Sequence, residues 1–150
     1  MTITKFNIRV YGIWIDDKDQ ILLSDEYFRD TYITKFPGGG LEFGEGTVEG
    51  LKREWLEELG LEIEVLDHFY TTDFFQKSAF HKDAQIVSIY YRVSPIDVVT
   101  TEFKKKPFDF DLLCEGAEAF RKVPISGLTA ADMTFPIDKQ VVQLIKEKCY

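Results

Sequence analysis

Between Pro37 and Leu61 the chain reads PGGGLEFGEGTVEGLKREWLEELGL, three consecutive glycines running into a stretch whose apolar and acidic residues recur at helical spacing. No other segment restricts the fold so narrowly. Successive glycines predict a sharp bend with backbone freedom, because a residue without Cβ tolerates conformations that others do not. From Thr47 to Leu59, Val48, Leu51, Trp55 and Leu59 fall in one arc of a helix. Thr47 is the expected N-cap and Gly60 the expected stop. Gly50 costs that helix about 1 kcal/mol against Ala; close packing on a neighbouring sheet and a functional need are both open as the reason.

Strand signals surround this unit. Phe6, Ile8 and Val10 alternate with polar or amphipathic residues, predicting a half-buried strand over 6–15. A short strand follows over Ile21–Ser24, then a polar segment from Asp25 to Thr34 that reads as a loop. Leu61–Phe75 and Ala84–Val93 predict two long strands, the second with Val87, Ile89, Tyr91 and Val93 on one face. Ser94–Gly116 has no period and is the longest expected loop. Ala117–Val123 predicts a last strand, and Pro136–Lys148 an amphipathic helix with Ile137, Val141, Leu144 and Ile145 on its stripe. The order of elements predicts an α/β domain, a mixed sheet covered by helices. At 150 residues, with no linker or repeat, one domain over residues 1–150 is expected.

Charge excludes some functions. Eighteen Lys and Arg against 26 Asp and Glu leave a net charge of -8, which repels duplex nucleic acid. The N-terminus lacks an apolar signal core and no run is long enough to span a bilayer, so no membrane association is expected. Two cysteines, Cys114 and Cys149, far apart in sequence, suggest neither a disulfide framework nor a zinc site, and a cytoplasmic location is expected.

The chemistry lies in the helix. Glu54, Glu57 and Glu58 stand at i, i+3 and i+4 and share a face, where like charges destabilise one another unless something positive sits among them. Mg2+ suits that position as a hard cation that takes a few carboxylates and completes its octahedron with water and substrate phosphates; Mn2+ can substitute. The preceding glycines would let a backbone carbonyl approach such an ion.

The segment resembles the Nudix box of the Nudix hydrolase family, G-x5-E-x7-R-E-U-x-E-E-x-G-U. Gly39 opens it, Glu45 follows, and Arg53, Glu54, Trp55, Leu56, Glu57, Glu58, Leu59, Gly60 and Leu61 complete it. Every fixed glycine and polar position matches; Trp55 stands where the family usually has an aliphatic residue. The resemblance implies an α/β/α sandwich around a mixed sheet. It implies hydrolysis of a nucleoside diphosphate linked to another group, such as a nucleotide sugar, an ADP-ribose-like compound or a (d)NTP. It also makes Glu54, Glu57 and Glu58 catalytic metal ligands, adds the carbonyl of Gly38 or Gly39, and reads Glu45 with Arg53 as a structural ion pair. A homodimer is the assembly expected by analogy.

Other residues carry weaker signals. Candidate general bases are Glu54, Glu57 or Glu58 within the box and, ranked lower, Asp109, Asp111 and Glu115 in the long loop. Arg9 and Arg29 are candidate substrate-phosphate contacts on charge alone. Phe74, Phe75 and Phe80 are expected in the core, Lys104–Lys106 in a solvated turn, and His68 and His81 outside any site. The alternative function is a catalytically silent nucleotide-sensing module of the same fold, against which the intact acidic set argues.

Overall fold

A computed structural model describes residues 2–148; Cys149, one of the two cysteines, lies outside them. The chain separates into two compact units, the first holding the residues up to Ile13 together with Gly38–Val99, the second Trp14–Pro37 together with the residues from Thr100 onward.

The first unit is a mixed sheet and one helix. Its strands are β1 (Lys5–Ile13), β4 (Gly38–Gly40), β5 (Ile63–Thr71) and β6 (Ala84–Pro95), in the order β4-β1-β6-β5. β1 and β6 run parallel, whereas β4 and β5 join antiparallel. Helix α1 (Thr47–Leu59) packs on this sheet through Leu51 and Trp55, both fully buried. Gly60 closes the helix in the left-handed conformation, φ 66°, as predicted, its N–H bonded to the Leu56 carbonyl. The N-cap is Gly46, not Thr47: Thr47 is already helical, and its hydroxyl bonds the Tyr91 hydroxyl at 2.7 Å instead.

Two expectations in this unit, on β1 and on the phenylalanines after β5, are corrected. Phe6 and Ile8 are exposed, at 72% and 39%, because α1 covers only the other end of β1, where the Trp55 indole lies over Gly12. On β6 the most buried residues are Ala84, Ser88, Tyr90 and Val93; of the predicted face Val93 is buried and Val87, Ile89 and Tyr91 are half-buried. Phe74 and Phe75 are exposed and Phe80 half-buried, all three in the connection between β5 and β6.

The second unit is an antiparallel sheet, β3-β2-β7, made of β2 (Gln20–Phe28), β3 (Thr31–Lys35) and β7 (Glu118–Pro124), with helix α2 (Pro136–Lys148) following two short 3-10 turns. The predicted helix bounds hold, and Ile137, Val141, Val142 and Ile145 are buried while Leu144 is partly so. The segment Asp25–Thr34 is no loop: it supplies the end of β2, a two-residue turn and most of β3. Its polarity misleads because Asp25, fully buried, accepts hydrogen bonds from Arg121 Nε (2.6 Å), Thr34 Oγ1 (2.6 Å) and the Phe108 amide (3.0 Å). A buried charge so paired is compatible with an interior strand. At the turn, Arg29 and Asp30 both hold positive φ, 50° and 58°, the geometry a two-residue hairpin demands. Ser94–Gly116 forms no helix and, beyond Ser94 and Pro95 at the end of β6, no strand, as expected. Among the described residues no helix is long and apolar enough to cross a membrane.

Candidate active site

The glycine run, expected as a sharp bend, is instead the short edge strand β4, whose bare backbone faces different groups on its two sides. A Cβ on Gly39 would lie 2.6–2.7 Å from the Glu54 carboxylate, and one on Gly38 would strike the backbone and ring of Tyr11. Only glycine allows α1 and β1 to approach this ribbon so closely. Gly50 acts in a similar way within α1. A Cβ there would meet Leu41 at 2.7 Å and Glu45 at 2.9 Å, so it makes room for the loop between β4 and α1 and not for the sheet.

Arg53 organises the carboxylates. Its Nε and Nη2 donate to the two oxygens of Glu45 at 2.9 and 2.7 Å, a bidentate fork, and Nη2 also reaches the Gly40 carbonyl at 3.1 Å. Its Nη1 bonds Glu54 Oε1 and Glu57 Oε2, each at 3.2 Å, with Glu42 at 3.6 Å. Hydrogen bonds from Arg53, reinforced by the Glu42 amide, hold the Glu45 carboxyl down at about 2. The same bonds, led by Glu45, push the Arg53 guanidinium above its ordinary value. Glu54 is largely buried, Glu57 is exposed, and Glu58 is half-buried one residue on.

Among the described residues no three His, Cys, Asp or Glu side chains are already drawn together as a metal cage. The donors are nonetheless of the kind a hard divalent cation takes: carboxylate oxygens on one helix face beside a glycine backbone that nothing but hydrogen shields.

The remaining predicted residues divide between the units. Arg9 belongs to the first; it pairs in register with Gly40 on β1 and donates from Nε to the Tyr11 hydroxyl at 2.5 Å. Arg29, Asp109, Asp111 and Glu115 belong to the second. There Glu115 accepts the Arg29 amide at 3.0 Å, and the Arg29 guanidinium lies over the Phe28 ring. Asp111 is bonded by Lys104 at 2.8 Å, which lowers its carboxyl below the usual range, and Asp109 is exposed. Sequence reasoning missed Glu42, Tyr11 and Gly12; for the last two, a tyrosine and a glycine adjacent on one strand were the only signal.

The NUDIX domain family model matches residues 5–143. This chain belongs to the Nudix hydrolase family. The match extends far beyond the box and takes in parts of both units of this Nudix hydrolase. No curated protein matches it by sequence. Among solved structures it is similar to a MutT protein from Methanosarcina mazei Go1, at 17% identity and TM-score 0.69 over 98% of each chain. It is also similar to a NUDIX hydrolase from Nitrosomonas europaea, at 22% identity and TM-score 0.65 over 95% of this chain and 90% of that one. A third is an ADP-ribose pyrophosphatase from Streptococcus suis, at 17% identity and TM-score 0.55 over 95% and 92%. At such identities these likenesses establish the fold, a mixed α/β architecture, and not the substrate.

Proposed function

We propose that this Nudix hydrolase is a Mg2+-dependent pyrophosphohydrolase that cleaves the diphosphate of a nucleoside diphosphate joined to another group, with Mn2+ able to replace Mg2+. The seat of the Glu54 carboxylate against Gly39, with Arg53 bonded to both Glu54 and Glu57, carries this reading. The similarity to an ADP-ribose pyrophosphatase and to MutT proteins supports a small nucleotide substrate, whether nucleotide sugar, ADP-ribose-like or (d)NTP.

Glu54, Glu57 and Glu58, with the carbonyl of Gly38 or Gly39, would hold the divalent ion. When bound, that ion neutralises diphosphate charge, polarises phosphorus and acidifies a coordinated water. The chain's own part is orientation. Arg53 fixes two of the carboxylates and ties their helix to the glycine ribbon through Glu45 and the Gly40 carbonyl. The general base is drawn from the carboxylates of α1, which share a helix face with the residues that would hold the ion. Residues 1–150 are read as a single Nudix hydrolase domain, which the span of the family match supports, in a protein of the cytoplasm.

The test is hydrolysis of a panel of nucleoside diphosphate derivatives, monitored by release of phosphomonoester. Turnover abolished by a chelator and restored by Mg2+ or Mn2+ is expected; well-folded protein that cleaves none of them with either metal overturns the reading.

A further inference from the structure

β4 ends the sheet of the first unit, and its two faces meet opposite chemistry. Gly39 presents one face to the Glu54 carboxylate. Gly38 and Gly40, whose missing side chains point the other way, lie against Tyr11 and Arg9, their register partners on β1. A Cβ on Gly40 would stand 3.7 Å from Arg9 Nη1, and one on Gly38 would stand 2.8 Å from the Tyr11 ring. A cation thus lies on one side of a backbone ribbon without side chains, and the carboxylates lie on the other.

Arg9 is also held. Its Nε donates to the Tyr11 hydroxyl at 2.5 Å, and its guanidinium carbon is 5.6 Å from the centre of the same ring. Tyr11 itself is buried, wedged by Gly38 and stacked on Tyr90 with ring centres 5.3 Å apart. A guanidinium is a rigid planar fork, so anchoring Nε through a fixed hydroxyl sets the plane in which its Nη donors act. Such preorganisation strengthens a charge-assisted bidentate contact to phosphate by reducing the ordering cost on binding.

We propose that Arg9 is the phosphate-binding cation of this site and that Tyr11 is its positioning residue. A diphosphate lying along the β4 edge would meet the carboxylate side through its metal and the Arg9 side directly. The proposal rests on the diphosphate reading above, and it assigns to Arg9 a grip on a substrate phosphate.

The experiment compares wild type, Tyr11→Phe, Arg9→Lys, Arg9→Gln and the Tyr11→Phe/Arg9→Gln double variant. Readouts are KM and kcat on the best substrate of the panel, and calorimetric binding of inorganic pyrophosphate without metal. Tyr11→Phe keeps the ring and its stack, so it reads the hydroxyl alone. Expected are a rise in KM and pyrophosphate Kd of about fivefold for Tyr11→Phe and about tenfold or more for Arg9→Gln, with kcat changed less than about twofold. Arg9→Lys should restore only part of the affinity, since an ammonium cannot form the fork. In the Arg9→Gln background, Tyr11→Phe should have no further effect. Unchanged KM and Kd in Tyr11→Phe, or effects that multiply in the double variant, overturn the proposal while wild-type turnover leaves the hydrolase reading standing. Should Arg9→Gln not fold, Arg9→Lys replaces it in the cycle. Absence of wild-type turnover on every diphosphate defeats the hydrolase reading and this proposal together.

Discussion

The carboxylate of Glu54 fills the space in which a side chain on Gly39 would begin, 2.6–2.7 Å from the position of its Cβ. The box glycine and the box glutamate, 15 positions apart in sequence, therefore form one steric unit. Gly39→Ala should force Glu54 aside and lower kcat at least about a hundredfold, with a stability loss of about 1–3 kcal/mol. Steady-state kinetics beside a denaturant titration check both; wild-type kcat in the variant contradicts the relationship.

Replacing the helix carboxylates separates charge from shape. Glu57→Gln and Glu58→Gln should each reduce kcat by about a hundredfold or more with an unchanged circular dichroism spectrum, because an amide is a far weaker ligand for a hard cation. Metal titration of each variant should show weaker Mg2+ activation than wild type.

Trp55 and Gly12 form a second steric pair in the core. A Cβ on Gly12 would lie 2.8 Å from the indole, and Trp55 is fully buried. Gly12→Ala should cost about 1–3 kcal/mol by overpacking, and Trp55→Leu about 2–5 kcal/mol through the cavity it leaves. Combined, the two should cost less than their sum, since the added methyl enters space the indole vacated. Urea denaturation of the four proteins measures the coupling.

Acid should act on the loop before α1 through Glu45. Its folded carboxyl titrates at about 2 against an ordinary 4.5, held down by Arg53 first and by the Glu42 amide second. A folded value below the unfolded one means that the unfolded chain binds the extra proton as pH falls. The contribution of this pair is thus complete above about pH 4.5 and disappears as pH falls towards 2. Denaturant midpoints measured across that window should fall less steeply in Glu45→Gln than in wild type.

The second unit depends on its buried ion pair. Asp25→Ala leaves the Arg121 guanidinium, almost fully buried, without its carboxylate at 2.6 Å, and also frees the Phe108 amide. A loss of about 3–5 kcal/mol is expected from breaking one side of such a pair. Faster proteolysis within Ser94–Gly116 should accompany it.

Legibility followed the range of the interactions. α1 and α2 emerged from sequence with their observed bounds because apolar spacing and the Gly60 stop are local signals. The carboxylate spacing on α1 was equally plain. The strands Asp25 and Thr34 belong to were not, because the partner that makes a buried aspartate acceptable, Arg121, lies 96 positions away. Phe6 and Ile8 kept the alternation of a covered strand although α1 reaches only the far end of β1.

By itself the amino-acid order determined the helix, its acidic face, the glycine ribbon ahead of it and the family these spell, since each depends on spacing within a few residues. Tertiary structure alone decided which glycine faces Glu54 and which faces Arg9, how Tyr11 holds the guanidinium, and why Trp55 needs Gly12. Those relations are set by the pairing of strands and the packing of a helix upon them, and distance through space between residues far apart along the chain leaves no periodic trace in the sequence.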